Sequence, residues 1–123
     1  MTIKFMREFK FRFWDGDSLR YSDDFNSFEA FFAFADDKGY EDFRNIWQQF
    51  TGLLDKNDKE IYEGDIIEFH RTPSGQGREF YFVDFEKGSF RFKNKYTNIP
   101  IRWDYSIEWE IVGNIFENPE LLK

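Results

Sequence analysis

The stretch Arg78-Glu79-Phe80-Tyr81-Phe82-Val83-Asp84-Phe85-Glu86-Lys87-Gly88-Ser89-Phe90-Arg91-Phe92-Lys93 decides the fold. In an extended chain its first nine residues place Phe80 and Phe82, with Asp84, on one face and Tyr81, Val83 and Phe85 on the other. A strand that is apolar on both faces belongs in the middle of a sheet. Lys87-Gly88 turns the chain, and residues 89–93 return with Phe90 and Phe92 inside and Arg91 and Lys93 solvated.

Outward from this hairpin the text stays β. Downstream, a polar link (94–98) precedes a short strand (99–103). A last long strand then sets Ile107, Trp109 and Ile111 against Glu108 and Glu110, with Gly113 as a bulge or bend. Upstream, residues 55–59 form a polar turn, 65–71 a strand and 72–77 a flexible hairpin loop. Residues 7–14 alternate strictly, with Phe9, Phe11 and Phe13 inward and Glu8, Lys10 and Arg12 outward, and Asp15-Gly16-Asp17 ends the strand. The one clear helix spans 27–37. Asn26 caps it, Glu29 is the capping-box partner, Phe28, Phe31, Phe32 and Ala35 fall at i, i+3, i+4, i+7, and Gly39 closes it. Residues 40–50 fit a helical stripe (Tyr40, Phe43, Trp47, Phe50) or a strand (Ile46, Gln48, Phe50), and a strand from about Asn45 is favoured.

Short strands at this spacing predict a mainly β (α+β) chain: a small partial or SH3-like antiparallel β-barrel with an N-terminal strand and one amphipathic helix. A single domain is expected, with a strand–helix unit over 1–50 and a barrel-like meander over 51–123. Phe11, Phe13, Trp47, Phe50, Ile66, Phe82, Ile107, Trp109 and Ile111 are the expected core beside the apolar face of the helix.

Composition agrees. The chain has 123 residues, with Phe 18, Trp 4 and Tyr 6, but five Leu, three Ala and two Val. Phe and the ten Ile favour strands, and the shortage of Ala and Leu opposes an all-helical fold. The rings either leave a surplus at a subunit contact or fill a β-core in place of Val. Cys is absent and His occurs once, which removes disulfides, thiolate metal sites and Cys–His catalysis. No apolar run approaches the roughly 18 residues of a membrane span, and the N-terminus, where Met6 is an alternative start, does not read as a signal peptide. The expectation is a soluble cytoplasmic protein without membrane association.

Few constellations offer chemistry. Residues 87–103 carry Lys87, Arg91, Lys93, Lys95 and Arg102 with no acid, interleaved with Phe90, Phe92, Tyr96 and Trp103, and Tyr96 is placed to stack on a base, so the five cations and Tyr96 are the candidate nucleic-acid contacts. A strand with solvated cations explains the same alternation, and the formal net charge of −7 opposes phosphate attraction. Glu68 and His70 share a strand face that reads as solvated; they are the residues an enzyme would use, yet nothing completes a metal shell around them. Glu108 and Glu110 follow from strand alternation alone. Residues 13–42 hold nine acids against Arg20 and Lys38, which accounts for the whole net charge. They read as a solvated face, with mimicry of nucleic-acid phosphate as the sharper alternative. No catalytic, metal or cofactor site is expected.

Three segments are more specific. Residues 48–67 (Gln48-Gln49-Phe50-Thr51-Gly52-Leu53-Leu54-Asp55 through Glu63-Gly64-Asp65-Ile66-Ile67), 109–122 (Trp109-Glu110-Ile111-Val112-Gly113-Asn114 through Leu122) and the opening 7–15 resemble the signature of the YopX family of phage and prophage proteins. The resemblance implies a mostly β partial barrel, self-association and a bacterial host cytoplasm, and it brings no catalytic or binding residues. Within the signature, Gly64 is expected to bend the chain where a strand begins and Asp65 to bond back to a nearby N–H, while Thr51-Gly52 and Asn118-Pro119 read as turn devices. The function expected is therefore a non-catalytic phage or prophage accessory protein, homo-oligomeric, acting on a macromolecular and preferably protein partner. A nucleic-acid-associated protein and an enzyme using Glu68 and His70 are the alternatives.

Overall fold

The structure, a computed structural model, describes residues 8–37, 47–69, 79–101 and 109–123. It is mainly β, and the chain divides into two compact units, Met1–Phe50 and Thr51–Lys123.

In the first unit, β1 (Phe11–Trp14) pairs antiparallel with β2 (Leu19–Tyr21) and with the start of β3 (Trp47–Leu54). The helix α1 (Phe28–Asp37) contributes the other half of this core. Phe13, Phe31 and Ala35 are fully buried, and Phe13 meets Phe31 at 5.5 Å and Trp47 at 5.1 Å between ring centroids. Each such ring is worth roughly 1.5–3 kcal/mol relative to exposure.

The expected alternation along residues 7–14 holds only in part. Phe13 is buried and Phe11 half-buried, but Phe9 lies before the strand and is exposed. Arg12, expected in solvent, is buried. Its Nε donates to Gln48 Oε1 at 2.6 Å, and its guanidinium lies over the Tyr21 ring. A cation paired in this way is tolerated inside a β-sheet where an unpaired one is not.

The helix cap is also shifted. Ser27, not Asn26, bonds the first turn, its Oγ accepting from the Ala30 N–H at 3.1 Å, so Glu29 is not a capping-box partner. The buried stripe is Phe31, Phe34 and Ala35, and Phe28 and Phe32 are exposed. Gly39 lies outside the described residues.

The second unit holds the continuation of β3 beside β4 (Glu60–Tyr62), and a five-stranded antiparallel sheet. Its strands are β5 (Asp65–Phe69), β6 (Glu79–Glu86), β7 (Ser89–Lys93), β8 (Asn98–Pro100) and β9 (Trp109–Asn114), in the order β8-β7-β6-β5-β9. The sheet curls as a half-barrel. As the hairpin text predicts, β6 is its middle strand, and Val83 sits opposite Phe92. The core face, however, is Tyr81 and Val83, with Phe82 only half-buried on the other side. Ile61, Ile67 and Phe92 complete this core around Trp109, which meets the Phe92 ring edge to face at 4.3 Å. Ile66 and Phe50 are buried as expected, Ile111 is half-buried, and Ile107 falls outside the described residues.

The signature residues are the joints of this scaffold. Gly64 has φ +82°, and the Asp65 carboxylate accepts the Tyr62 N–H at 2.8 Å. Thr51-Gly52 is not a turn but lies within β3. The Thr51 hydroxyl donates to the Ile61 carbonyl at 2.8 Å and accepts the Leu53 N–H, while Gly52 takes φ +89°. Asp55 binds the N–H groups of Asn57 and Lys59 in its own turn and that of Ile111 in β9. In β9 the register with β5 passes from Ile66–Gly113 to Ile67–Ile111, so Val112 is the extra residue of a bulge. Gly113 lets Asn118 approach and accept the Asn114 N–H at 3.2 Å, and Pro119 opens a 3₁₀ turn over Pro119–Leu122.

Candidate binding surface

The six cationic and aromatic candidates do not form one surface. Lys87 sits in the β6–β7 turn and Lys95 and Tyr96 in the β7–β8 turn, at opposite ends of β7. Five strand residues separate the two turns by roughly 13 Å or more.

Between them, Arg91 and Lys93 share a sheet face with carboxylates. Asp84 is directly opposite Arg91. Arg91 Nε donates to Asn98 Oδ1 at 2.6 Å, and Lys93 Nζ donates to Asp84 Oδ2 at 2.8 Å and to the Glu86 carboxylate. The Asp84 and Glu86 bonds hold the Lys93 ammonium above its ordinary pKa, and the Lys93 bond holds Glu86 below its own. These cations are already matched by neighbours, so they add little attraction for phosphate. Arg102 lies outside the described residues.

Glu68 is buried in β5, opposite Phe80 and Glu110, where the sequence suggested a solvated face. Its proposed partner His70, like Glu108, is outside the described residues. Among the described residues no group of three or more His, Asp or Glu is arranged to hold a metal ion.

Lys95 and Tyr96 instead border a cleft of about 320 Å³ in the second unit. Its apolar lining is Phe80, Leu121 and Leu122, and Lys95, Lys123, Glu79 and Asn94 are its polar groups. Asn94 shapes the loop, since its Nδ2 donates to the Phe80 carbonyl and its Oδ1 accepts the Tyr96 N–H at 2.9 Å. Tyr96 is thereby held 91% exposed. Glu79 accepts the Tyr81 hydroxyl at 2.5 Å, and burial together with that carboxylate pushes the phenol up to about 12. The sequence did not reveal this cleft, because Leu121 and Leu122 reach it through a 3₁₀ turn that has no periodicity to read.

Further large apolar groups are exposed. Phe85 (46% exposed) stands edge to face with Phe90 at 5.0 Å, and Ile99 lies on the same face of the sheet. In the first unit Phe28 and Phe32 stack at 6.2 Å on α1 and are 45% and 39% exposed.

The acidic block is partly consumed by turn chemistry. Asp15 Oδ1 accepts the N–H groups of Asp17 and Ser18, each at 2.8 Å, and Oδ2 accepts Arg20 Nε at 2.7 Å. Asp23 pairs with Lys10, whereas Glu29 and Asp36 are exposed on α1.

This scaffold can be matched to known proteins. Residues 13–123 match the family described as YopX protein. The chain belongs to the YopX family. It is also similar in fold to the crystal structure of protein EF1440 from Enterococcus faecalis, with a TM-score of 0.63 and 23% identity over 96% of this chain and 100% of that one. No curated protein matches the sequence. Within this YopX-family chain the signature residues Gly64, Asp65, Gly113 and Asn118 are scaffold joints, as the sequence suggested. None of these four lines the cleft. No helix among the described residues is long and apolar enough to cross a membrane.

Proposed function

We propose that this YopX-family protein is a non-catalytic accessory protein of a phage or prophage, acting in the bacterial cytoplasm through self-association and through binding a macromolecular partner. The observation that carries this reading is the set of large apolar side chains left exposed: Phe28, Phe32, Phe85 and Tyr96, each 39–91% exposed. Such groups are the usual anchors of protein interfaces. Asp15, Asp55, Asp84, Glu86 and Lys93 have structural employment in turns and ion pairs, which favours a binding protein over an enzyme.

Light scattering across a concentration series tests the reading. Mass should rise above 15.1 kDa per particle, and a strict monomer at high concentration overturns the self-association. A second reading, contact with single-stranded nucleic acid, draws on Tyr96 standing exposed beside Lys95. Fluorescence anisotropy with labelled strands across a salt series decides it, because phosphate binding must fade as salt rises.

A further inference from the structure

Two unlike surfaces of this chain complement each other. On α1, successive residues rotate by about 100°, so Phe28, Phe32, Asp36 and Glu29 share one outward arc. All four are exposed, Phe28 and Phe32 on the side away from Phe11 and Trp47, against which they pack, and the helix carries Glu29, Asp36 and Asp37 with no basic residue. The cleft of the second unit has the opposite character. Its apolar lining (Phe80, Leu121, Leu122) lies beside the exposed Tyr96 ring, with Lys95 and Lys123 against the single acid Glu79, whose carboxylate already accepts the Tyr81 hydroxyl. In a protein of net charge −7, this is a locally positive apolar recess. At about 320 Å³ it is at the small end of ligand pockets and suits one or two inserted side chains better than a large metabolite.

We propose that the occupant of this cleft is helix α1 of a second copy of the chain. Phe28 and Phe32 enter against Leu121, Leu122 and Tyr96, while Glu29 and Asp36 meet Lys95 and Lys123. This is the helix-in-groove mode, read through residues at i and i+4 with a charged rim that fixes orientation. Helix face and cleft are different patches, so each copy offers one of each, and copies join through two reciprocal contacts or around a ring. The proposal rests on the self-association reading and names the surfaces that carry it.

The test uses three full-length variants: Phe28→Ser/Phe32→Ser, which removes the helix anchors, Leu122→Asp, which spoils the cleft, and Lys95→Glu, which inverts its rim. Circular dichroism melting first confirms that each folds. In sedimentation velocity each variant alone should associate at least roughly tenfold more weakly than the natural chain, a loss of about 1.4 kcal/mol. Mixing the helix variant with the cleft variant should restore a heterodimer, because one retains an intact cleft and the other an intact helix. Glu29→Lys mixed with Lys95→Glu should recover affinity and lose it again as salt rises. Association unchanged in the variants, or failure of the mixture to pair, overturns the helix-in-cleft contact and leaves self-association standing. A natural chain that stays monomeric overturns both.

Discussion

Replacing Asp55 by alanine removes one carboxylate that joins two distant parts of the second unit. Its Oδ1 accepts the N–H groups of Asn57 at 2.8 Å and Lys59 at 3.0 Å, and its Oδ2 accepts that of Ile111, 56 positions along the chain, at 3.0 Å. The residue is 4% exposed. A hydrogen bond to a charged group is worth about 1.5–3 kcal/mol, so three cap the loss at roughly 4.5–9 kcal/mol. Asn57 and Lys59 lie in an exposed turn, where water replaces much of what they lose, while the Ile111 donor is left within the sheet. Asp55→Ala should therefore cost about 3–5 kcal/mol. Against a whole-domain stability of about 5–15 kcal/mol, that is a large fraction. In urea, with a slope of about 2 kcal/mol per molar, the midpoint should fall by about 2 M. Asp55→Asn retains one acceptor for the turn but presents an amide N–H₂ to the Ile111 donor, and should lose about 1–3 kcal/mol. Tryptophan fluorescence and far-ultraviolet circular dichroism measure both. A loss below about 1 kcal/mol in Asp55→Ala at unchanged slope, or an asparagine variant less stable than the alanine one, refutes the reasoning.

Three further outcomes are expected. An added Cβ at Gly113 would stand 2.5 Å from Asn118 Oδ1, so Gly113→Ala should cost about 1–3 kcal/mol by displacing that side chain, and should cost less in an Asn118→Ala background; equal costs in a double-mutant unfolding cycle would remove the steric account. Gly52 has φ +89° and open space around its would-be Cβ, so Gly52→Ala should cost about 1–2 kcal/mol through backbone strain alone, and a D-alanine introduced there by ligation should restore the melting midpoint. The N–H groups of Asp17 and Ser18, with Arg20 after them, hold the Asp15 carboxyl at about 2 rather than 3.8. Since the folded value is the lower one, the stability this turn adds is complete above about pH 3.8 and is lost as pH falls through 2. A carboxyl NMR titration should show that low midpoint, with Arg20→Ala raising it only part of the way; a wild-type midpoint at 3.8 rejects the turn as described.

The sheet was legible because strand periodicity is strong where rings alternate: β6 and β7 follow directly from the text of residues 79–93. Turn chemistry was legible too, at Gly64-Asp65 and at the bulge beside Gly113. What escaped was the choice of face. Both sides of β6 carry rings, so binary patterning could not say that Tyr81 and Val83 rather than Phe82 point inward. Arg12 reads as polar and is buried, because its partner Gln48 comes from 36 residues away. On α1, Phe31 and Ala35 belong to both readings, but the buried arc lies about 60° round from the expected one and takes in Phe34 in place of Phe28 and Phe32. Lys87, Arg91, Lys93 and Lys95 were correctly assigned to strand and turns, but the carboxylate partners of Lys93, Asp84 and Glu86, belong to the neighbouring strand and become visible only with the register.

The outermost strand of the large sheet ends on Pro100. Ile101 turns its N–H inward to the Phe90 carbonyl at 3.0 Å, so by alternation the backbone nitrogen at position 100 faces away from the sheet, and there it carries no hydrogen. A stray strand seeking to zip onto that border meets a missing donor within a three-residue segment. The proline thus guards a ring-rich chain against fibrous stacking, a hazard its composition would otherwise invite.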